Sequence, residues 1–337
     1  MVTITAAQAS NTKIAATLPA GMVGVFVGGT GGIGEYTLKN FARHVKRPKI
    51  YIVGRSQNAA DRIILECTKL NPDGEYIFIQ SDVSLLNNVK RVCEEITSKE
   101  ESINLLFQTQ GGLQTEKTSE GLSKMYALPF ASRILFTLAL LPTIQNASGL
   151  RRVVSVFAAG YESHFNEENW AEHVTKQPLK ARAHLASMIT MAHNVLAQKA
   201  PDVSFVHNFP GGVKTSFGKG ATGIMAVARM ALTVFGPLLM KYRSPEESSV
   251  LQLYCATSAA FPPAAGGAVG AALLANAAAS VGADGKQGSG SYNVDENCER
   301  VAHSIEKLLI RAKEDGVEER LWAHVVGEIK QITGQVF

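Results

Sequence analysis

Cysteine is scarce, with four in 337 residues, and Cys67, Cys93, Cys255 and Cys298 stand far apart with no Cys-x-x-Cys pair. That spacing excludes a disulfide framework and a thiolate cluster, so the four read as reduced thiols and no metal site is expected. Charge is also thin, at 18% of residues, and the net +4 comes from scattered lysines and arginines without a basic run or interleaved aromatics. Nucleic acid is therefore excluded as a partner. A basic start followed by an apolar core is missing at the N-terminus, where Lys13 sits in a mild apolar mixture. No secretory signal is expected, and the expected compartment is the cytoplasm. No internal repeat is evident. What the chain does have is 46% hydrophobic residues, enough to bury a sizeable core in one domain spanning 1–337.

The stretch Gly24 to Gly34 organises the first two hundred residues. Val25, Phe26 and Val27 form an apolar run that stops at glycines, as a buried parallel strand entering a tight turn does. Gly28, Gly32 and Gly34 let the backbone turn sharply and approach a pyrophosphate, which would sit at the N-terminus of a helix over Glu35 to Arg47. The beat then repeats. Strands are expected at Lys49–Val53, Tyr76–Ile79, Ile103–Phe107, Arg152–Phe157 and Val203–His207. Helices are expected at Ala60–Leu70, Leu85–Ser98, Gly121–Leu141 (stopped by Pro142) and Leu179–Lys199. Six strands alternating with helices predict an α/β fold, a Rossmann-type doubly wound parallel sheet with helices on both faces. Ligands bind beyond the carboxyl ends of such strands, which points to Gly28, Arg55, Asp82, Gln110, Ala158 and Pro210.

After strand six the pattern changes. Residues 214–242 are nearly uncharged and suit a substrate-covering lid or a buried interface helix; Arg229 in their midst and Gly236-Pro237 near the end argue against a stable membrane span. Residues 262–290 are rich in Ala, Gly and Pro and predict an extended insert packed on the core. Residues 299–335 predict C-terminal helices with Trp322, Val325, Val326 and Ile329 as the apolar stripe.

With these motifs in place the chain resembles the short-chain dehydrogenase/reductase family, and more narrowly its long fungal secondary-metabolism type. Val27 to Gly34 is similar to the family's Thr-Gly-x-x-x-Gly-x-Gly loop. Asp82-Val83 matches its adenine-contacting pair, and Gln110-Gly111 falls at its Asn-Ala-Gly turn. Pro210-Gly211-Gly212-Val213-Lys214-Thr215 reproduces its Pro-Gly-x-Val-x-Thr segment beside the nicotinamide. The resemblance implies a cofactor held by Gly28, Thr30, Gly32, Ile33, Gly34, Asp82, Val83, Gln110, Gly111, Pro210, Gly211, Val213 and Thr215. Strand two ends at Arg55-Ser56 instead of a carboxylate, and a guanidinium with a neighbouring hydroxyl suits a 2′-phosphate, so the cofactor is expected to be NADP(H).

The resemblance also implies an Asn, a Ser and a Tyr-x-x-x-Lys, yet no Tyr-x-x-x-Lys occurs anywhere in the chain. Helix and strand registers put Pro129, Ala158, Arg182 and Ala186 at those four positions, with one turn of slip open for the last two. An arginine is no general acid but is a fixed donor to an oxyanion. The candidate acids are Tyr161 and His164 on the loop after strand five, with Tyr161 the better placed; His193 shares the Arg182 face three turns on. The expected activity is reduction of a carbonyl or conjugated alkene in a small apolar metabolite, with Tyr161 and Arg182 as catalytic residues. The rivals are a redox-neutral isomerase or cyclase and a non-catalytic NADP(H)-binding partner protein. A homo-oligomer is compatible with either enzyme reading.

Overall fold

β1 (Val23–Val27) is buried on both faces because it lies at the centre of a parallel sheet, with Val25 and Val27 packing to one side and Phe26 to the other. The computed structural model describes residues 2–163, 167, 170–213, 215, 226–227, 230, 242–275 and 277–337. β2 (Lys49–Gly54) and β3 (Glu75–Gln80) extend the sheet on one side. β4 (Leu105–Gln108), β5 (Arg152–Val156), β6 (Ser204–Asn208) and β9 (Ser291–Val294) extend it on the other, giving the order β3-β2-β1-β4-β5-β6-β9, parallel throughout. The doubly wound expectation holds, with one correction. The sheet has seven strands, because Ser291–Val294 adds to β6 after the insert; it is only four residues long, and the insert before it carries no repeating pattern that announces it. β7 (Gly212–Val213) and β8 (Tyr242–Arg243) form a separate two-residue ladder.

Helices cover both faces. α1 (Ile4–Asn11) and α2 (Ile14–Thr17) precede the sheet, and α3 (Gly32–His44), α4 (Gln57–Leu70) and α5 (Leu86–Thr97) follow the first three strands. α5 buries Leu86, Val89, Val92, Cys93 and Ile96, each contributing on the order of 1.5–3 kcal/mol of transfer free energy. Its N-terminus has no local cap; Glu120, from the loop after β4, accepts from the Leu86 and Asn87 amides at 2.5 and 3.0 Å.

α6 (Lys124–Gln145) contains a π-turn at Ala127–Ala131 and runs through Pro142, where a stop was expected. Proline there loses one N–H bond and crowds the carbonyl four residues back, a cost that the packing of this buried helix outweighs within a turn of its end. Among the described residues α6 is the one helix long and apolar enough to cross a bilayer, and 78% of its most apolar window is buried in the protein, so the core accounts for its hydropathy. α7 (Trp170–Lys176) leads to α8 (Ala181–Lys199), and α9 (Pro245–Thr257) starts in a capping box of Ser244 and Glu247. The fully buried Arg152 donates to Cys255 O at 2.8 Å, Ser258 O at 3.1 Å and Val269 O at 3.3 Å, tying the end of α9 to the insert. All four cysteines are free and buried.

The C-terminal helices are α10 (His303–Glu314) and α11 (Val317–Thr333), which join the core over α5, α6 and α8 through Leu309, Val317, Leu321, Val325 and Ile329. Glu318 is fully buried in the first turn of α11, where its Oε1 accepts from Asn194 Nδ2 at 2.7 Å. Burial pushes its carboxyl from 4.5 up to about 7. The folded chain thus holds this proton more tightly than the unfolded one. The stabilisation is complete below about pH 4.5 and is lost as pH rises through about 7. Glu318→Gln should gain roughly 1–3 kcal/mol over the native protein at pH 8 and little at pH 4. Denaturant titrations of both proteins at the two pH values check this; a constant difference between them would refute it.

Candidate active site

The order of the sheet reverses at β1, and the crevice at that switch point lies between the ends of β1 and β4. Gly28 turns there with φ of 82°, and a Cβ on it would stand 2.6 Å from Thr109 Oγ1. Thr109 in turn donates its amide to Val27 O at 2.9 Å. A Cβ on Gly34 would stand 2.6 Å from Gly28 O, so α3 enters the loop with no room to spare. α3 starts at Gly32, earlier than the expected Glu35, which leaves the amides of Gly32, Ile33 and Gly34 in the first turn facing the crevice end. Gly28 and Gly29 both donate to Val53 O, and Thr30 packs on Gly54. The loop is therefore seated against the end of β2.

Arg55 and Ser56 follow at once, both exposed. Ser56 Oγ caps α4 by accepting from the Ala59 amide at 3.3 Å, and Arg55 O accepts from Gln80 Nε2 at 3.0 Å. The first carboxylate of α4, Asp61, is engaged by Gln57 at 2.7 Å. At the end of β3, Asp82 Oδ1 accepts from the Ser84 amide at 3.1 Å and Val83 is buried. Gln110 and Gly111 follow β4. Thr215, at the end of the 210–215 segment, lies against Gly32 of the glycine loop, while Gly211 lies beside Glu296 and Arg243. Residues 214–242, read as a lid, lie outside the described residues apart from Thr215, Ala226, Val227, Met230 and Tyr242, and so does His164.

Tyr161 and Arg182 meet. The Arg182 guanidinium carbon stands 3.6 Å from the centre of the Tyr161 ring and 5.0 Å from that of Phe209, and the two rings pack edge to face at 5.0 Å. Phe209 immediately precedes Pro210, so this cluster adjoins the start of the 210–213 segment. Arg182 occupies the first turn of α8, at the helix end that faces the loops after β5 and β6. Of the other tetrad positions, Pro129 lies in the π-turn of α6 and offers no donor, while Ala158 and Ala186 are buried. His193 does not share the exposed edge of Arg182. It is buried against β5, within 3.2 Å of Ser155 Oγ, and burial pushes its ring down to about 3.

Two groups escaped the reading of the sequence. Arg133 is buried to 2% exposure, and its Nη2 donates to Gln110 O at 2.8 Å and Val156 O at 3.1 Å, bridging the ends of β4 and β5. Burial alone pushes its guanidinium down to about 9. A signal was available, since it is the one charge between Lys124 and Arg151 in an otherwise apolar helix. The second is the buried set of Glu162, Thr190, His207 and Asn293 beneath the Tyr161 loop, contributed by four elements far apart in sequence.

The short chain dehydrogenase family model matches residues 23–164. Oxidoreductase andH of Emericella variicolor is 34% identical over 318 residues, covering 93% of each chain. Short-chain dehydrogenase/reductase SAT2 of Stachybotrys chartarum is 28% identical over 94% of this chain and 95% of its own. Among solved structures, L-sorbose reductase of Gluconobacter frateurii, complexed with NADPH and L-sorbose, superposes with a TM-score of 0.53 at 16% identity, covering 70% of this chain and 90% of that one. The protein belongs to the short-chain dehydrogenase/reductase family and is an oxidoreductase of that type, with the family's nicotinamide-nucleotide-binding fold.

Proposed function

We propose that the protein is a cytoplasmic NADP(H)-dependent reductase of secondary metabolism, acting on a carbonyl or conjugated alkene of a small apolar molecule. The observation that supports this reading is the Tyr161–Arg182–Phe209 cluster beside Pro210, a phenol and a fixed cation next to the segment that the family resemblance assigns to the nicotinamide. The residues present fit a dinucleotide phosphate. The glycine loop is a cradle that a Cβ at Gly28 or Gly34 would fill, and the amides of the first turn of α3 would take the pyrophosphate. Arg55 and Ser56 would hold the 2′-phosphate, Asp82 and Val83 the adenine, and Gln110 and Gly111 with the 210–215 segment the nicotinamide end. When bound, NADPH supplies the two electrons and one hydrogen that reach the substrate carbon. Tyr161 gives the matching proton to the substrate oxygen or enolate, and Arg182 stabilises the negative charge that develops there.

Cofactor choice is the first test. An Arg–phosphate pair is worth about 1.5–3 kcal/mol, so NADPH should bind about ten- to a hundredfold more tightly than NADH. Arg55→Asp should invert that preference, because a carboxylate repels the phosphate and accepts from a ribose hydroxyl. Calorimetric titration of both cofactors into both proteins measures it, and equal native affinities would sink the assignment.

A further inference from the structure

Tyr161 lies on a turn from Ala158 to Glu162 that belongs to no helix or strand. Within the turn Gly160 adopts φ of 86° and the Tyr161 amide donates back to Ala158 O at 3.1 Å. The rest of its support comes from outside, through a chain of hydrogen bonds whose direction is fixed by chemistry. The Ala158 N–H can only donate, so His207 Nε2, 3.2 Å away, accepts and the ring proton resides on Nδ1. Nδ1 then donates to Thr190 Oγ1 at 2.8 Å, which leaves the threonine proton for Glu162 Oε1, also at 2.8 Å. Asn293 Nδ2 donates to the same oxygen at 2.8 Å. Gly160 N–H donates to Glu162 Oε2 at 2.7 Å, returning the chain to the turn where it began.

The circuit is closed and dry. Thr190 and His207 are 0% exposed, Asn293 3% and Glu162 5%. Burial, followed by the charges of His193 and Arg133, holds His207 far below its ordinary value, so a neutral ring with one tautomer is the state this geometry requires. Three donors converge on Glu162, and only a carboxylate accepts all three; an amide would turn an N–H toward one of them. Tyr161 itself is 44% exposed, and among the described residues Arg182 and Phe209 stand beside its ring. Its place against a substrate is thus set from beneath, by the backbone of this turn. A reacting group displaced by about 1 Å can lose about a hundredfold in rate, which gives such a clamp its function.

We propose that Glu162, acting through Thr190 and His207, is a positioning residue that holds the Ala158–Glu162 turn and with it the Tyr161 hydroxyl; the catalytic part of this inference rests on the assignment of Tyr161 as the acid. Thr190→Val keeps the volume of the side chain and removes the link, whereas Thr190→Ser keeps the hydroxyl. Two readouts apply to the full-length protein. The first needs no substrate. Hydrogen exchange at the Ala158 and Gly160 amides should quicken about tenfold or more in Thr190→Val and Glu162→Gln and return to the native rate in Thr190→Ser, with no comparable change at β1. Native exchange rates in the first two variants overturn the clamp. The second readout is NADPH consumption with benzil as a probe ketone and benzylideneacetone as a probe enone. Turnover should fall about tenfold or more in Thr190→Val while NADPH affinity stays within about twofold, and Thr190→Ser should recover it. Faster exchange with unchanged turnover overturns the positioning role, whereas unchanged turnover in Tyr161→Phe overturns only the assignment of the acid and leaves the exchange result to judge the clamp.

Discussion

Gly34→Ala should cost about five- to a hundredfold in NADPH affinity while the sheet and its helices remain folded. The added Cβ would lie 2.6 Å from Gly28 O and 2.7 Å from Thr109 Oγ1. The first of these is backbone and has no rotamer to give; the second already donates to Val27 O at 3.1 Å and Gly28 O at 3.3 Å. Relief has to come from moving the first turn of α3 away from the loop, and that movement displaces the amides that would face the pyrophosphate. Overpacking of this kind costs about 1–3 kcal/mol, and most of it falls on the binding-competent arrangement of the loop. Gly327→Ala is the control. Gly327 is an exposed position inside α11 with nothing within 4 Å of its Cβ site, so alanine there should stabilise by about 0.5–1 kcal/mol and leave NADPH binding unchanged. Fluorescence titration of NADPH with thermal melts of both variants separates the effects, and native affinity in Gly34→Ala would falsify the cradle.

The same loop explains why so much of the fold was legible in the sequence. A parallel strand buried on both faces reads as an unbroken apolar run, and glycines demanded by close approach follow it directly, so β1, β2 and β4 and the turns after them are written locally. α5 is equally plain because its stripe of Leu86, Val89, Val92, Cys93 and Ile96 repeats with the helical period. β9 was not legible, since four residues after an irregular insert carry too little pattern, and its place is decided by pairing with β6. The extension of α6 past Pro142 is likewise tertiary, an outcome of packing that outweighs the proline. The chemistry divides along the same line. Arg55 and Arg182 could be nominated because each stands at a strand or helix end fixed by the local pattern, and Tyr161 because it lies on the loop after β5. The contact between Tyr161 and Arg182 could not, because it joins two loops' worth of chain through one side chain. Glu162, Thr190, His207 and Asn293 come together only when β5, α8, β6 and β9 are assembled, and a buried polar set has no periodicity to betray it.

Tyr161→Phe should lower turnover by about 10²–10⁴-fold with NADPH affinity retained, the range over which a positioned general acid acts. The chain has no Tyr-x-x-x-Lys, and Pro129, Ala158 and Ala186 carry no proton to give, so no second acid on these positions stands ready to replace the phenol. Arg182→Met should cost about 10²–10³-fold through loss of the cation beside the developing oxyanion. Because the guanidinium lies 3.6 Å from the Tyr161 ring centre, the two groups act as a unit, and the double variant should lose much less than the product of the single losses. Arg182→Lys should behave nearly as Arg182→Met does, since an ammonium keeps the charge but not the planar stack on two rings. The redox-neutral reading makes the opposite claim. If Arg182 polarises a carbonyl and the cofactor undergoes no net change, Arg182→Met abolishes product, Tyr161→Phe leaves it largely intact, and no NADPH is consumed per turnover. Product formation and loss of the reduced-nicotinamide absorbance, followed together with benzil and benzylideneacetone in the four variants, decide between them. Independent, multiplicative losses would show that Tyr161 and Arg182 touch without sharing a task.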